Sequence, residues 1–264
     1  MFQGVLRKMQ TEYTDPIQYY LILANDFINI NQLLSKTIEL TFIKYQCLGC
    51  GKDKPIFRQG FCKQCFFELP QAADWIIRPE LSKAHLGIED RDLAYEQKVQ
   101  LQDHVVYLAN SSNLKVGVTR QTQIPTRWID QGAHEAIPLL VVPNRYLAGL
   151  AEVSLKDHVS DKTNWRKMLT NHVEDVDLVK EKEKLATFLP DELTKYIQLD
   201  NSKETEIHFP VLHYPTKVKS LNLVNKQHYK GKLVGIKGQY LLFEDQTVFN
   251  IRSNEGLVVR MAIV

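Results

Sequence analysis

The stretch Val105-Val-Tyr-Leu-Ala-Asn-Ser-Ser-Asn-Leu-Lys-Val-Gly-Val-Thr119 reads as a β-hairpin. Val-Val-Tyr-Leu-Ala is β-branched and aromatic, Asn110-Ser-Ser-Asn113 supplies turn formers, and Leu114-Lys-Val-Gly-Val-Thr119 returns as a second strand. Downstream, Pro125 suits the first turn of a helix over Thr126-Arg-Trp-Ile-Asp-Gln131, and Gly132 suits its C-terminal end. Residues 136–142 predict a third strand. A helix beginning at Asn144 or Arg145 and running to about 159 would bury Leu147, Leu150, Ala151 and Leu155, which recur at helical spacing. Asp161 fits as the N-cap of a further helix over 163–169.

Upstream, residues 2–6, 18–24 and 37–43 are rich in Val, Ile, Tyr, Phe and Thr and predict strands. Residues 69–77 predict a helix, and the polar run 78–102 a connector. Residues 173–197 predict charged helices broken by Pro190. From residue 207 the chain is again strand-rich, over 207–213, 232–236, 239–243, 248–251 and 257–263, punctuated by Gly231, Gly238 and Gly256. The expectation is an α+β protein. Its parts would be an N-terminal β-rich segment (1–46), a cysteine ribbon (47–70), a connector (71–102), a small α/β domain (103–175), a helical linker (176–205) and a C-terminal β-rich domain (206–264). The β-rich ends would form a small barrel or sandwich, with strands of the N-terminal segment able to share in it.

Cys47, Cys50, Cys62 and Cys65 are the only cysteines, and they form two Cys-x-x-Cys pairs separated by eleven residues. Zinc favours four thiolates in a tetrahedron, and two intervening residues let a tight turn aim both sulfurs of a pair at one ion. Gly49, Gly51 and Gly60 ease the required turns. A redox dithiol needs one pair in a βαβ setting, so zinc is the expectation, structural because protein fills all four positions. Arg58, Phe61, Lys63, Phe66 and Phe67 surround the cluster. They would suit nucleic acid, or they could pack the ribbon against its neighbours.

Among 264 residues, 33 basic side chains are nearly cancelled by 31 acidic ones, so the net charge of +2 selects no class of partner. From residue 206 onward eight Lys or Arg stand against four acids, a mild basic bias. The longest apolar runs, such as Ile137-Pro-Leu-Leu-Val-Val-Pro143, are too short to cross a bilayer, and Met1-Phe-Gln-Gly-Val-Leu-Arg7 lacks a signal-peptide pattern. No membrane association and a cytoplasmic location are expected. No phosphate-cradling glycine loop, dinucleotide fingerprint or nucleophile elbow occurs.

The run 105–119, followed by Thr126-Arg-Trp128, resembles the GIY-YIG nucleases. In that superfamily a hairpin supplies a Tyr and a Gly, the next helix an Arg, and a later helix a Glu that binds a divalent metal. The corresponding residues are Tyr107, Gly117, Arg127 and Glu152, with Asn164 matching a trailing Asn. The resemblance implies a nucleic-acid-processing protein, a metal-dependent phosphodiesterase. Tyr107 would help activate water, Glu152 would hold Mg²⁺ or Mn²⁺, Arg127 would steady the phosphate, and Gly117 would let the backbone approach it. The alternative is a non-catalytic module of the same fold that binds nucleic acid or a ribonucleoprotein. The first triplet reads Val-Val-Tyr and the second Lys-Val-Gly, without the superfamily's second Tyr. Each residue also has a structural explanation: Tyr107 in a strand core, Arg127 paired with Asp130 or Glu135, and Glu152 paired with Lys156 one helical turn on. As a whole the chain resembles an uncharacterised bacterial family that joins a zinc ribbon, this module and a β unit.

Overall fold

A computed structural model describes residues 1–159, 164–198 and 204–264. The expected cap Asp161, the beginning of its helix and most of the 199–205 linker lie outside the described residues. The chain divides into two compact units. One comprises Met1–Phe67, Leu169–Asn171 and Ile207–Val264; the other comprises Glu68–Met168 and His172–Glu206. Both contain helices and strands. No helix among the described residues is long and apolar enough to cross a membrane.

The first unit is built on a seven-stranded sheet in the order Phe2–Val5, Leu257–Ile263, Thr37–Tyr45, His228–Lys237, Tyr240–Phe243, Thr247–Asn250, Lys219–Ser220. N-terminal and C-terminal strands alternate within it: Thr37–Tyr45 pairs antiparallel with Leu257–Ile263 on one side and His228–Lys237 on the other. Ile38, Leu40, Leu233, Ile236, Phe249, Val259 and Met261 are buried in this unit. A closed barrel, one of the two forms expected for the β-rich ends, is not found among the described residues. Closure requires the first and last strands to hydrogen-bond. Here those strands have four and two residues and lie at opposite ends of the order. Residues 207–213, expected as a strand, form only an isolated bridge from Val211 to Gly235. Pro210, which lacks an N–H, lies within that segment.

The second unit is built on an antiparallel sheet in the order Thr205–Glu206, Glu135–Val142, His104–Asn110, Leu114–Arg120. The predicted hairpin is its centre, with Tyr107 opposite Gly117 on one side and Pro138 on the other. Because side chains alternate along a strand, Val106, Leu108 and Val116 join one apolar cluster. There they meet Ala148, Ala151 and Leu155 of the helix Arg145–Leu155 and Leu178 and Leu185 of the helix Leu178–Ala186. Tyr107, Lys115 and Gly117 therefore project from the opposite face. Asn144 starts the Arg145–Leu155 helix by accepting a hydrogen bond from the Leu147 N–H at 2.9 Å.

Residues 69–77 do not form the expected α-helix. They make two single 3₁₀ turns, Pro70–Ala72 and Asp74–Ile76, separated by Ala73 in an extended conformation. The polar run that follows is folded as well, with turns at Pro79–Leu81 and Ala84–Leu86 and a helix at Leu93–Gln100 capped by Asp92. Short turns leave carbonyls without intrahelical partners. Two of these, on Trp75 and Ile76, accept hydrogen bonds from the Arg145 guanidinium at 3.0 and 2.7 Å.

Candidate functional site

In the first unit the sulfurs of Cys47, Cys50, Cys62 and Cys65 lie within 4.8 Å of one another. A tetrahedral ion with zinc–sulfur bonds of about 2.3 Å holds its sulfurs roughly 3.8 Å apart, so the cluster can bind a metal such as zinc. The local backbone is shaped for this. Gly51 and Gly60 take positive φ of 70° and 78°, a conformation that disfavours side chains. The Leu48 N–H donates to the Gly60 carbonyl at 2.8 Å, tying the first turn to the hairpin of Ile56–Arg58 and Phe61–Cys62.

The electrostatics also favour a cation. Backbone N–H groups of Gly49 and Cys62 donate to the Cys47 sulfur at 3.4 and 3.2 Å. Burial resists ionisation of Cys47, yet backbone hydrogen bonds from Cys62, Cys50 and Gly49 outweigh it and bring the thiol down to about 6. Cys65 is pushed the other way, to about 12, by burial and by its three neighbouring sulfurs. Four thiols this close do not all ionise by themselves; a divalent cation removes the repulsion that prevents it.

In the second unit, Tyr107, Gly117, Arg127 and Glu152 come together. Tyr107 is 0% exposed, and its hydroxyl donates to the Gln131 Oε1 at 3.0 Å. Burial raises its phenol above the ordinary value, against the opposing charge and hydrogen bond of Arg127; the Glu152 carboxylate raises it further. The Trp128 ring meets Tyr107 edge-on, with centroids 5.9 Å apart. Gly117 lies beneath the phenol, where a side chain would collide with it. Arg127 and Glu152 remain half-buried, neither sealed in nor fully open. Asn164 has a different role: its Oδ1 accepts from the N–H groups of Arg166 and Lys167, both at 3.2 Å, at the start of the helix Trp165–Leu169.

Other charged groups at this site were not anticipated from sequence. Lys115 is 4% exposed and is held down to about 7 by burial and by the neighbouring Arg127. It occupies the first position of the Lys-Val-Gly triplet, two residues before Gly117, so strand alternation places it on the Tyr107 face. Arg145 is lowered to about 10, chiefly by burial, with Glu152 and Glu80 favouring its charge and Arg127 and Arg120 opposing it. Glu80 belongs to the segment read as a connector. Its backbone lies against Gly149, one helical turn from both Arg145 and Glu152, and a side chain at 149 would overlap the Glu80 N–H. Arg127 thus links two sets of charges: it acts on the Tyr107 phenol and on the buried Lys115, and on Arg145 with its neighbours Glu152, Glu80 and Arg120. Alternation could have flagged Lys115, but no local signal marked Glu80 or Arg145.

The sequence profile of a family described as "Protein of unknown function (DUF2797)" matches residues 35–259. No curated protein matches the chain, and no solved structure does. That match spans the cysteine cluster, the hairpin with its helices, and most of the C-terminal strands; the chain belongs to the DUF2797 family.

Proposed function

We propose that this protein acts on nucleic acid and holds a phosphodiester beside Lys115 and Arg127, with Arg145 and Glu152 adjoining, as a metal-dependent phosphodiesterase of diverged GIY-YIG type. The observation that carries the reading is the excess of cations. Arg145 is opposed by the charges of both Arg127 and Arg120, and Lys115 by that of Arg127. Like charges as close as Lys115 and Arg127 are relieved by a bound anion, and guanidinium groups match phosphate geometry. The half-buried Glu152 carboxylate would hold Mg²⁺ or Mn²⁺, which needs only one or two carboxylates when phosphate and waters complete its shell. When bound, the ion would polarise the phosphoryl group and acidify a water. Arg127 would stabilise charge on the phosphoryl oxygens.

One observation favours the second reading, a non-catalytic nucleic-acid or ribonucleoprotein module. The Tyr107 hydroxyl is closed to solvent and its phenol is raised, so it resists acting as a proton acceptor for an attacking water. In either case we propose that the four thiolates hold one structural zinc, which suits a cytoplasmic setting where thiols stay reduced.

End-labelled branched, single-stranded and duplex substrates incubated with purified protein and Mg²⁺ or Mn²⁺ separate the readings. Cleavage abolished by Glu152→Ala identifies the enzyme. Salt-sensitive binding without cleavage, weakened by Arg127→Ala, identifies the module. Binding that Arg127→Ala leaves unchanged overturns the phosphate site.

A further inference from the structure

We infer that the exposed phenylalanine platform on the cysteine ribbon is a docking surface for the unstacked bases of single-stranded nucleic acid. Phe57 from the strand Ile56–Arg58 meets Phe66 and Phe67 from the helix Lys63–Glu68, with ring centroids 5.2 and 5.7 Å away, and Phe66 lies 5.4 Å from Phe67. Phe57 is 44% exposed and Phe67 55% exposed. Phe57 and Phe67, being exposed, are not what closes the ribbon. Its interior is formed by the buried Cys47, Cys62 and Cys65 and the backbone bonds that tie them together. A small unit held by its sulfurs can present aromatic faces that a small unit held by an apolar core would have to bury.

Charge decides the occupant. The Arg58 guanidinium lies 5.4 Å from the centre of the Phe57 ring. Lys63 is exposed one helical turn before Phe67, so both lie on one side of the helix. Across residues 47–70, Lys52, Lys54, Arg58 and Lys63 stand against two acids, Asp53, which is itself 3.8 Å from Lys44, and Glu68. Against the two negative charges that four thiolates leave around a divalent ion the ribbon is neutral overall, so the positive charge that bears on the occupant is local, from Arg58 and Lys63 beside the rings. A duplex hides its base faces, and an apolar protein surface has no use for the cations. A single strand offers π-faces to the rings and phosphates to the Arg and Lys. Phe57 sits on the hairpin and Phe66 and Phe67 on the short helix that carries Cys65, so little ordering is needed on binding.

This surface rests on the nucleic-acid reading above but not on the Arg127 site, and the test separates the two. Wild-type protein, the pair Phe57→Ala/Phe67→Ala, and the pair Phe57→Leu/Phe67→Leu would each be titrated with fluorescent oligothymidylate and oligouridylate, with zinc content and circular dichroism confirming the fold. Both pairs should lose affinity on the order of tenfold or more, because leucine keeps the apolar bulk but has no π-face. Arg58→Ala/Lys63→Ala should weaken binding and flatten its dependence on salt. Unchanged affinity in the leucine pair overturns the proposal, as does a wild type that binds neither oligomer. Oligomer binding that depends on Phe57 and Phe67 but survives Arg127→Ala upholds the ribbon surface while removing the phosphate site.

Discussion

Gly117 and Tyr107 face each other across the central hairpin so closely that a side-chain carbon on Gly117 would fall 2.6 Å from the tyrosine hydroxyl oxygen. The phenol lies across the strand, in the space that the glycine leaves open. The same hydroxyl is bonded to Gln131, so it has little room to move aside. Gly117→Ala should therefore destabilise the protein by about 1–3 kcal/mol, as overpacking does. Tyr107→Phe, which removes the colliding oxygen, should recover part of that loss in a double-mutant cycle. Urea unfolding of the four proteins measures both; strict additivity would mean that the two residues do not meet.

The cysteine cluster makes a prediction that any metal analysis can check. Purified protein should carry one zinc per chain, and Cys62→Ser, which replaces a buried sulfur, should carry far less. Chelation should lower the thermal midpoint of the wild type, since ion binding contributes folding energy to the ribbon. A wild type without zinc, whose midpoint ignores chelators, would contradict the assignment.

His104 should make the protein sensitive to acid. The ring is fully buried, its Nδ1 is 2.7 Å from the Gln102 carbonyl, and burial holds it down to about 4 from the ordinary 6.5. The fold keeps the imidazole neutral, while the unfolded chain takes up a proton near 6.5, so the unfolded state binds more protons in between. Stability should be intact above pH 6.5 and fall as the pH drops from 6.5 toward 4, by a few kcal/mol in all. His104→Gln should flatten that slope, measured by urea midpoints across this range.

Arg145 should not tolerate lysine. Its guanidinium reaches two successive carbonyls, on Trp75 and Ile76, and lies 5.7 Å from the centre of the Trp75 ring. A single ammonium cannot span both acceptors with the same geometry. Arg145→Lys should cost about 1–3 kcal/mol and loosen residues 69–86, seen as faster amide exchange there. Protection equal to the wild type would show that the fork does not hold this segment.

Much of the local structure could be read directly. The hairpin at 104–120 stands where β-branched and turn residues predicted it, and the helix after Asn144 begins at that residue's cap. The two Cys-x-x-Cys pairs converge as their spacing demanded. Residues 69–77 are not the expected helix, because Ala73 is extended and parts the run into two 3₁₀ turns. The carbonyls freed there are satisfied by Arg145, about 70 residues along the chain.

What the sequence determined by itself was therefore whatever depends on neighbours a few residues apart: strand alternation, helix caps, and the spacing of thiols around one ion. What only the tertiary structure decided was partnership over long distances. The pairing of Thr37–Tyr45 with both Leu257–Ile263 and His228–Lys237 gives an open sheet in place of a closed barrel. The meeting of Glu80 with the face of Arg145 and Glu152 makes a supposed connector part of the charged site. Periodicity is imposed by the backbone's own geometry and leaves a mark in every short window. The burial of Lys115 beside Arg127 follows from which surfaces cover each other once the whole unit has folded, and no short window contains that information.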